Sequence, residues 1–318
     1  MDLGVSYIPS HLPQHIAADM EHLAQIGCTE VLFALQENHV ETLTGALQFG
    51  ATIAKDYGLR PYVVVWGYAN TFGGGRMSRI LLQDLSMWRG RRDGTGIPRA
   101  CLNHPRLVDR FIEIAETCCS HGFEGMFVDE PTPQECFCPR CQRMFFEIFG
   151  KDILESEGTE EMAKFQQDTV RRYTETLCRR VKALDERQRT ITCVMPVDRA
   201  CFESVASIPE LDVFGTDPYW LLPQSTMTIE DACKYAGLVK DICRERAKSS
   251  QVWLNCWKIP AGREEDVYTG GRKLAEVGCD SLYTWSFRGG LGTYEACDNP
   301  ELAWRSVVRL YREISRSD

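Results

Sequence analysis

No apolar run in this sequence of 318 residues reaches the ~18 residues that a membrane-spanning helix needs. We therefore expect no membrane partner. The N-terminus also lacks the basic region and the apolar core of a signal peptide. The 15 cysteines are odd in number and irregularly spaced, which favours reduced thiols over disulfides. Together these features predict a cytoplasmic protein, with a trimmed secreted form as the alternative.

Histidine motifs and phosphate-binding glycine motifs are scarce as well. The chain has six histidines, none in H-x-H or H-E-x-x-H spacing, which argues against a catalytic metal held by histidine. The turn after the first apolar run has no glycine that could cradle a phosphate, and we expect no organic cofactor. The net charge of −9 comes from interspersed charges and argues against a nucleic-acid partner.

Short apolar runs alternate with longer amphipathic segments along the whole chain. Eight strand-then-helix units predict an α/β fold with a parallel sheet, closed into a single-domain (β/α)8 TIM barrel. The barrel domain would cover residues 1–318, with inserted loops at about 70–100 and 131–160. Residues 39–57 are predicted as one helix. The predicted strands are 3–8, 30–35, 61–66, 125–128, 190–195, 211–215, 251–256 and 281–287.

Residues that directly follow the strands of such a barrel face a common pocket. Here they are rich in carboxylates and large aromatic rings, which suits sugars, because C–H faces pack on rings while hydroxyls form hydrogen bonds. The alternative is that the tryptophans only fill the barrel interior. If Asn255 lies at the rim, we expect Trp253 to face the helix layer. The candidate substrate-binding residues are Tyr7, His11, Trp66, Asp198, Tyr219, Trp220, Asn255, Trp257, Lys258, Trp285 and Arg288.

Three carboxylates are candidates for acid–base chemistry. Glycoside hydrolysis needs one carboxyl group to protonate the leaving oxygen and a second to attack or to activate water. Glu130 ends an apolar strand, where burial would raise its pKa toward that of a general acid. Its neighbour Asp129 should point the opposite way, so we expect only one of the two to face the pocket. Asp217 is the predicted second carboxylate, although an aspartate before proline is also a common turn residue.

A cysteine cluster with C-x-C-x-x-C spacing begins six residues after Glu130. Cys136, Cys138 and Cys141 cannot all bridge one another, but all three can turn toward one metal ion. The sequence therefore predicts a structural metal site beside the acid–base site.

The stretch Arg99-Ala-Cys-Leu-Asn-His-Pro105, with Asp129-Glu130 and the cysteine cluster behind it, resembles the zinc-containing β-galactosidases of glycoside hydrolase family 42. The resemblance is specific over residues 99–149 and architectural elsewhere. It implies a barrel catalytic domain in which Glu130 is the acid/base. It also implies a structural zinc with four ligands, which would be Cys101, Cys136, Cys138 and Cys141.

The chain departs from that family at the seventh strand, where the family carries its nucleophilic glutamate. The residues there are Val252-Trp-Leu-Asn-Cys-Trp-Lys-Ile-Pro260, without a carboxylate. Three hypotheses stay open. The preferred one is an inverting enzyme in which Asp217 activates water, about 6.5–9.5 Å from Glu130. The others are a retaining enzyme with a carboxylate from another strand, and a barrel that binds carbohydrate without hydrolysing it.

Two cations, Lys258 and Arg288, follow the last two strands. They predict a substrate with a carboxylate or sulfate, such as a uronic acid, unless they pair with Asp217 or Asp129 to fix the site. A Schiff-base lyase or aldolase that uses Lys258 is a further alternative. The expected partner is a small carbohydrate, an oligosaccharide or glycoside of plant or microbial origin. A homo-oligomer stays open, because exposed helices of a single-domain barrel often pair.

Overall fold

A computed structural model describes residues 1–42, 45–72 and 78–316 of the chain. Its strands are short, and all but the fourth and fifth are almost wholly buried, as expected for a parallel sheet that helices cover. Numbered along the chain, they are β1 (Asp2–Tyr7), β2 (Glu30–Leu35), β3 (Arg60–Val65), β4 (Trp88–Gly90), β5 (Gly96–Ala100), β6 (Gly125–Val128), β7 (Arg189–Val194), β8 (Val213–Thr216), β9 (Ser249–Asn255) and β10 (Ser281–Trp285).

Eight of these strands form a closed barrel in the order β1-β10-β9-β8-β7-β6-β3-β2. All neighbouring pairs are parallel. The strands β4 and β5 form a separate antiparallel hairpin. The predicted (β/α)8 TIM barrel is confirmed, since the eight predicted apolar runs are the eight barrel strands, with ends that shift by at most two residues.

Helices surround the barrel. Several begin with proline, whose fixed φ and missing N–H suit the first turn. They are α1 (Pro13–Gln25), α2 (Glu37–Glu41), α3 (Gly45–Asp56), α4 (Arg79–Gln83), α5 (Pro105–Ser120), α6 (Pro139–Phe149), α7 (Glu160–Leu184), α8 (Arg199–Ala206), α9 (Ile229–Glu245), α10 (Glu264–Val277) and α11 (Pro300–Ile314). Among the helices of the described chain, none combines the length and apolarity that crossing a bilayer requires.

The predicted single helix over residues 39–57 is wrong. The segment contains α2 and α3, and residues 43–44 between them lie outside the described chain. The backbone of Thr42, with φ of −98° and ψ of 2°, departs from helical geometry, so α2 ends at Glu41. Apolar residues continue at helical spacing across the interruption, so the periodicity alone does not reveal it.

The two predicted inserts have structure of their own. The first, at about 70–100, contains α4 and the β4–β5 hairpin, and its residues 73–77 lie outside the described chain. The second, at 131–160, contains α6. Both follow strands β3 and β6 on the side of the barrel where the strands end, so they surround the region that the sequence assigns to chemistry.

The opposite end of the barrel is closed by a buried charge. Glu30, which is 4% exposed, begins β2. It accepts hydrogen bonds from Arg60 at 2.6 Å and from the hydroxyls of Tyr62 and Tyr283 at 3.2 and 2.7 Å. A buried carboxylate with so many donors is stabilised, and it seals the barrel below the pocket.

Candidate active site

A cavity lies at the carboxyl ends of the barrel strands and is lined by two kinds of side chain. The acids come from the ends of β6 and β8 and from the loop after β10. Large rings form most of the remaining wall, which is the composition that the sequence predicts for a sugar site. The lining residues are Trp66, Phe127, Asp129, Glu130, Cys193, Asp217, Tyr219, Trp253, Trp257, Trp285 and Glu295.

Asp129 and Glu130 both line this cavity, so the expectation that only one of them faces it is wrong. The alternation rule fails because β6 ends at Val128, and neither residue belongs to the strand. Glu130 has φ of +38°, in the left-handed region that non-glycine residues rarely adopt. This turn of the backbone brings two consecutive carboxylates to the same side. Such strained residues cluster at functional sites.

Asp217 and Glu130 line the same cavity. Asp217 follows β8 directly and is 1% exposed. Burial and the negative charge of Glu130 raise the pKa of Asp217 well above its ordinary value.

The separation of an inverting pair, about 6.5–9.5 Å with a water molecule between the carboxyl groups, stays a prediction for Glu130 and Asp217.

Asp129 belongs to the same electrostatic cluster. Burial raises its pKa well above the ordinary value, and the charges of Glu130 and Glu295 raise it further. The cavity wall thus concentrates negative charge in a poorly hydrated space. Carboxyl groups with raised pKa values in a cavity are typical of functional sites.

Sequence reasoning missed Glu295. It lies in the loop after β10, ten residues beyond Trp285, and is 7% exposed. Trp285 Nε1 donates to its Oε2 at 3.3 Å. The pocket residues were predicted from the positions that directly follow a strand. No local pattern indicates that a glutamate so far along a loop lines the pocket.

One tryptophan, Trp253, faces the other way from its prediction. Trp66 and Trp285 lie beside each other in the wall, with ring centroids 5.6 Å apart. Trp253 packs inside the barrel against Phe127 at 5.6 Å and lines the cavity, so the expectation that it faces the helix layer is wrong. Residues two apart on a strand share a face, and the position of Asn255 gave no reason to turn Trp253 outward.

Two of the predicted substrate-binding residues hold the site together from outside the cavity. Trp220 packs against the helix layer, where a Cβ on Gly270 of α10 would lie 2.4 Å from its ring. Asn255 is fully buried. Its side chain accepts from the Leu221 N–H at 3.1 Å and donates to the Trp257 carbonyl at 3.0 Å. These contacts fix the loops after β8 and β9.

Tyr7 and Arg288 meet at Asp19 rather than in the cavity. The Tyr7 hydroxyl donates to Asp19 at 2.9 Å, and the Arg288 guanidinium lies 3.2 Å from the same carboxylate. Burial and the neighbouring Asp19 charge raise the pKa of Tyr7. Arg288 therefore pairs with Asp19 and not with Asp217 or Asp129.

His11 and Asp198 also lie elsewhere. The exposed His11 ring packs edge-on against His39, with centroids 5.1 Å apart. Asp198 caps α8 by accepting from the Cys201 N–H at 2.8 Å, which is the structural alternative that capping chemistry offers.

Lys258 lies at the cavity mouth. Its ammonium lies 4.8 Å from the ring centroid of Trp257 and 5.5 Å from that of Tyr294, in cation–π geometry. Tyr294 is 58% exposed and stacks on Trp66 at 6.4 Å, which marks the outer edge of the wall. The amine contacts aromatic faces rather than the buried acids.

The four cysteines of the predicted metal site come together. Their sulfur atoms all lie within 4.8 Å of one another. Cys101 Sγ is 3.5 Å from Cys141 Sγ and 3.7 Å from Cys138 Sγ. A tetrahedral ion with metal–sulfur bonds of ~2.3 Å would separate its ligands by about 3.8 Å. The cluster can therefore hold one metal ion.

The β4–β5 hairpin brings Cys101 to the other three cysteines. The Cys101 N–H donates to the Met87 carbonyl at 2.7 Å, and the Phe137 N–H donates to the Gly90 carbonyl at 2.8 Å. A Cβ at Gly90 would lie 2.7 Å from the backbone nitrogen of Cys138, so only glycine permits this approach.

No protein-family model matches the sequence, and no curated protein matches it. Solved structures do share its fold. The β-galactosidase of the haloarchaeon Halorubrum lacusprofundi is similar with a TM-score of 0.74 and 16% identity, over 100% of this chain and 58% of that one. A catalytic mutant of a GH42 β-galactosidase from G. stearothermophilus gives a TM-score of 0.75 and 13% identity, over 99% and 56%.

The catalytic domain of the β-amylase from Paenibacillus polymyxa is also similar, with a TM-score of 0.68 and 7% identity, over 99% of this chain and 98% of that domain. The chain spans little more than half the length of the two β-galactosidases. At these identities the likeness shows the fold alone, which is the barrel used by these glycoside hydrolases.

Proposed function

We propose that this protein is a glycoside hydrolase of the family 42 type, with Glu130 as the general acid and Asp217 as a further carboxyl group of the same cavity. One observation carries the proposal: three acids with strand-end positions, Asp129, Glu130 and Asp217, converge in a cavity walled by tryptophans. The barrel likeness to β-galactosidases supports the same class.

The roles of the two acids follow from exposure. Both line the cavity, but Asp217 is 1% exposed, whereas Glu130 is half-buried. Glu130 is therefore the more accessible of the two, and we assign to it the protonation of the leaving oxygen. Asp217 would hold a proton more tightly than an ordinary aspartate, because its pKa is raised. The positive charge that develops on the sugar would be stabilised by the remaining carboxylates of the wall.

Unpartnered polar atoms in the wall suit a hydroxylated ligand. Asp217 Oδ1 and Trp257 Nε1 are buried without a hydrogen-bond partner among the described residues. Such groups are costly unless something pairs with them. A sugar lying on Trp66 and Trp285 could donate one hydroxyl to the carboxyl oxygen and accept from the indole N–H through another.

We infer that the substrate carries an anionic group near the mouth. Lys258 supports this, because its ammonium lies on aromatic faces instead of neutralising the wall acids. Arg288, which the sequence offered for the same role, is engaged with Asp19. A uronide is the sugar that fits one cation above an otherwise acidic cavity.

We infer that the ion of the cysteine cluster is zinc. Four thiolates in tetrahedral spacing are typical of structural zinc sites, which are closed and take no part in reactions. Gln134, between Glu130 and the cluster, accepts from Arg89 at 3.0 Å and donates to the Thr71 carbonyl. The ion would thereby anchor the segment that carries Glu130.

The proposal is tested with a panel of 4-nitrophenyl glycosides, neutral and uronic, and the variant Glu130→Gln. We expect the wild type to hydrolyse at least one glycoside and the variant to lose about 10²–10⁴-fold in kcat at an unchanged KM. Glu135→Gln is the matched control, since Glu135 is exposed in the same loop. Saturable binding without turnover, unaffected by Glu130→Gln, would instead favour the carbohydrate-binding alternative.

A further inference from the structure

We propose that Glu295 is the second catalytic carboxylate, facing Glu130 across the bound sugar and taking the place of the glutamate that the seventh barrel strand lacks. The proposal rests on the glycosidase function proposed above and names the residue that completes its chemistry. Glu295 lies in the wall of the same cavity as Glu130.

The strand order supplies the geometric argument. Around the closed ring of eight strands, β10 lies four places from β6, which is the opposite side of the barrel. The strand β8, which leads to Asp217, lies only two places from β6. Hydrolysis needs the acid and the second carboxylate on opposite sides of the sugar. The strand before the Glu295 loop lies on the side opposite β6, whereas the strand before Asp217 lies nearer to β6.

Glu295 is held in place from two directions. Its backbone carbonyl accepts from the Lys258 N–H at 3.0 Å, and its backbone N–H donates to the Thr293 hydroxyl at 3.1 Å. Trp285 Nε1 donates to Oε2 at 3.3 Å. The first of these bonds joins the loop after β10 to the loop after β9. Glu295 therefore occupies the neighbourhood of the missing seventh-strand carboxylate, on a supported backbone.

The electrostatics agree with Glu295 lying near the acids that follow β6. The charge of Glu295 helps to raise the pKa of Asp129, and both residues line the cavity in which a sugar would lie.

The reaction step balances with the groups present. The bond between the anomeric carbon and the leaving oxygen breaks, and its electron pair goes to that oxygen, which takes the proton from Glu130. A new bond forms from the opposite face to the anomeric carbon. Its oxygen belongs either to Glu295 itself or to a water molecule whose proton Glu295 accepts. In both versions Glu295 acts on the face away from the leaving group.

The test uses Glu295→Gln and Glu295→Ala on the 4-nitrophenyl glycoside that the wild type hydrolyses fastest. We expect both variants to lose about 10²–10⁴-fold in kcat while keeping the melting temperature and metal content of the wild type. Sodium azide should restore turnover of Glu295→Ala, and the product should be a glycosyl azide of inverted anomeric configuration. Glu301→Gln is the control, because Glu301 is exposed on α11.

Three results would overturn the assignment while leaving the glycosidase proposal intact: unchanged kcat in both variants, a loss of kcat that azide does not restore, or an azide product of retained configuration. The second would make Glu295 a positioning residue, and the third would make it the acid/base. If the wild type hydrolyses no glycoside of the panel, the proposed function itself fails, and the role of Glu295 fails with it.

Discussion

Glu130 shows how one residue's backbone can decide a site. With φ of +38° it adopts a conformation that costs a non-glycine residue of the order of 1–3 kcal/mol. The gain is that Asp129 and Glu130, adjacent in sequence, face the same cavity. The alternation of side chains along a strand applies only up to Val128, where β6 ends. No residue type in the segment indicates where the backbone turns.

The raised pKa of Asp217 predicts a pH dependence of stability. Its carboxyl binds a proton more tightly in the folded protein than in the unfolded chain, where its pKa is near 3.9. This contribution is complete below about pH 4 and is lost as the pH rises through the folded pKa, at up to about 1.4 kcal/mol per pH unit.

The variant Asp217→Asn cannot titrate at this position. The free energy of unfolding would be measured by urea denaturation from pH 4 to 8. We expect the value of the variant, relative to that of the wild type, to increase as the pH rises. Asp168→Asn, an exposed change on α7, should follow the wild-type curve. Parallel curves for Asp217→Asn and the wild type would show that Asp217 is ionised in the folded protein.

Lys258 carries the prediction on substrate charge. Replacing it by methionine keeps the length of the side chain but removes the ammonium at the mouth. We expect kcat/KM for an aryl glucuronide to fall by roughly 10–100-fold, the worth of a hydrogen bond to a charged group, with little change for neutral glycosides. Lys273→Met, on the exposed face of α10, is the control. An equal loss on neutral and acidic substrates would remove the case for an anionic sugar.

At the scale of elements, the β4–β5 hairpin and the start of α6 form the cysteine cluster together. Cys138 precedes α6 and Cys141 lies in its first turn, while Cys101 follows β5. The C-x-C-x-x-C spacing was readable in the sequence, because it depends on local chain geometry. The hairpin was not, since its strands are short and its glycine at position 90 serves a contact with a distant loop.

Metal content tests this arrangement. We expect about one zinc per chain by elemental analysis, and we expect Cys136→Ser and Cys138→Ser to lose the metal and to melt at lower temperature. Activity should fall as well, because the proposed ion would anchor the segment behind Glu130. Cys119→Ser, a half-buried thiol outside the cluster, should retain both metal and activity. A metal-free wild type with four reactive thiols would contradict the zinc site.

Element types were more predictable than side-chain directions. Apolar runs mark the barrel strands because these strands are buried on both faces, and amphipathic periods mark most helices. The side chain of Trp220 packs against Gly270, and that of Arg288 pairs with Asp19. Both partners lie far along the chain, so no local pattern specifies these positions. The loop position of Glu295 was hidden for the same reason.

In the whole molecule, the two ends of the barrel differ: one carries a buried polar network, and the other carries the candidate active site. The Glu30 network closes the amino ends of the strands, whereas the proposed chemistry lies at the carboxyl ends. This polarity is general for such barrels.

The division predicts opposite effects of two glutamine substitutions. Glu30→Gln weakens charged hydrogen bonds and should lower the free energy of unfolding by about 1.5–3 kcal/mol in urea titrations, with kcat unchanged. Glu130→Gln should leave stability nearly unchanged and abolish most of the turnover. A Glu30 variant that is stable but inactive would contradict the separation of the two ends.

Hydrolysis with Glu130 as the general acid is tested best by proton NMR of an aryl glycoside incubated with the wild type or with Glu130→Gln. We expect the wild type to release free sugar of a single initial anomeric configuration. The equally folded variant should release almost none. Release at the same rate by both proteins, or no release by the wild type from any glycoside of the panel, would contradict it.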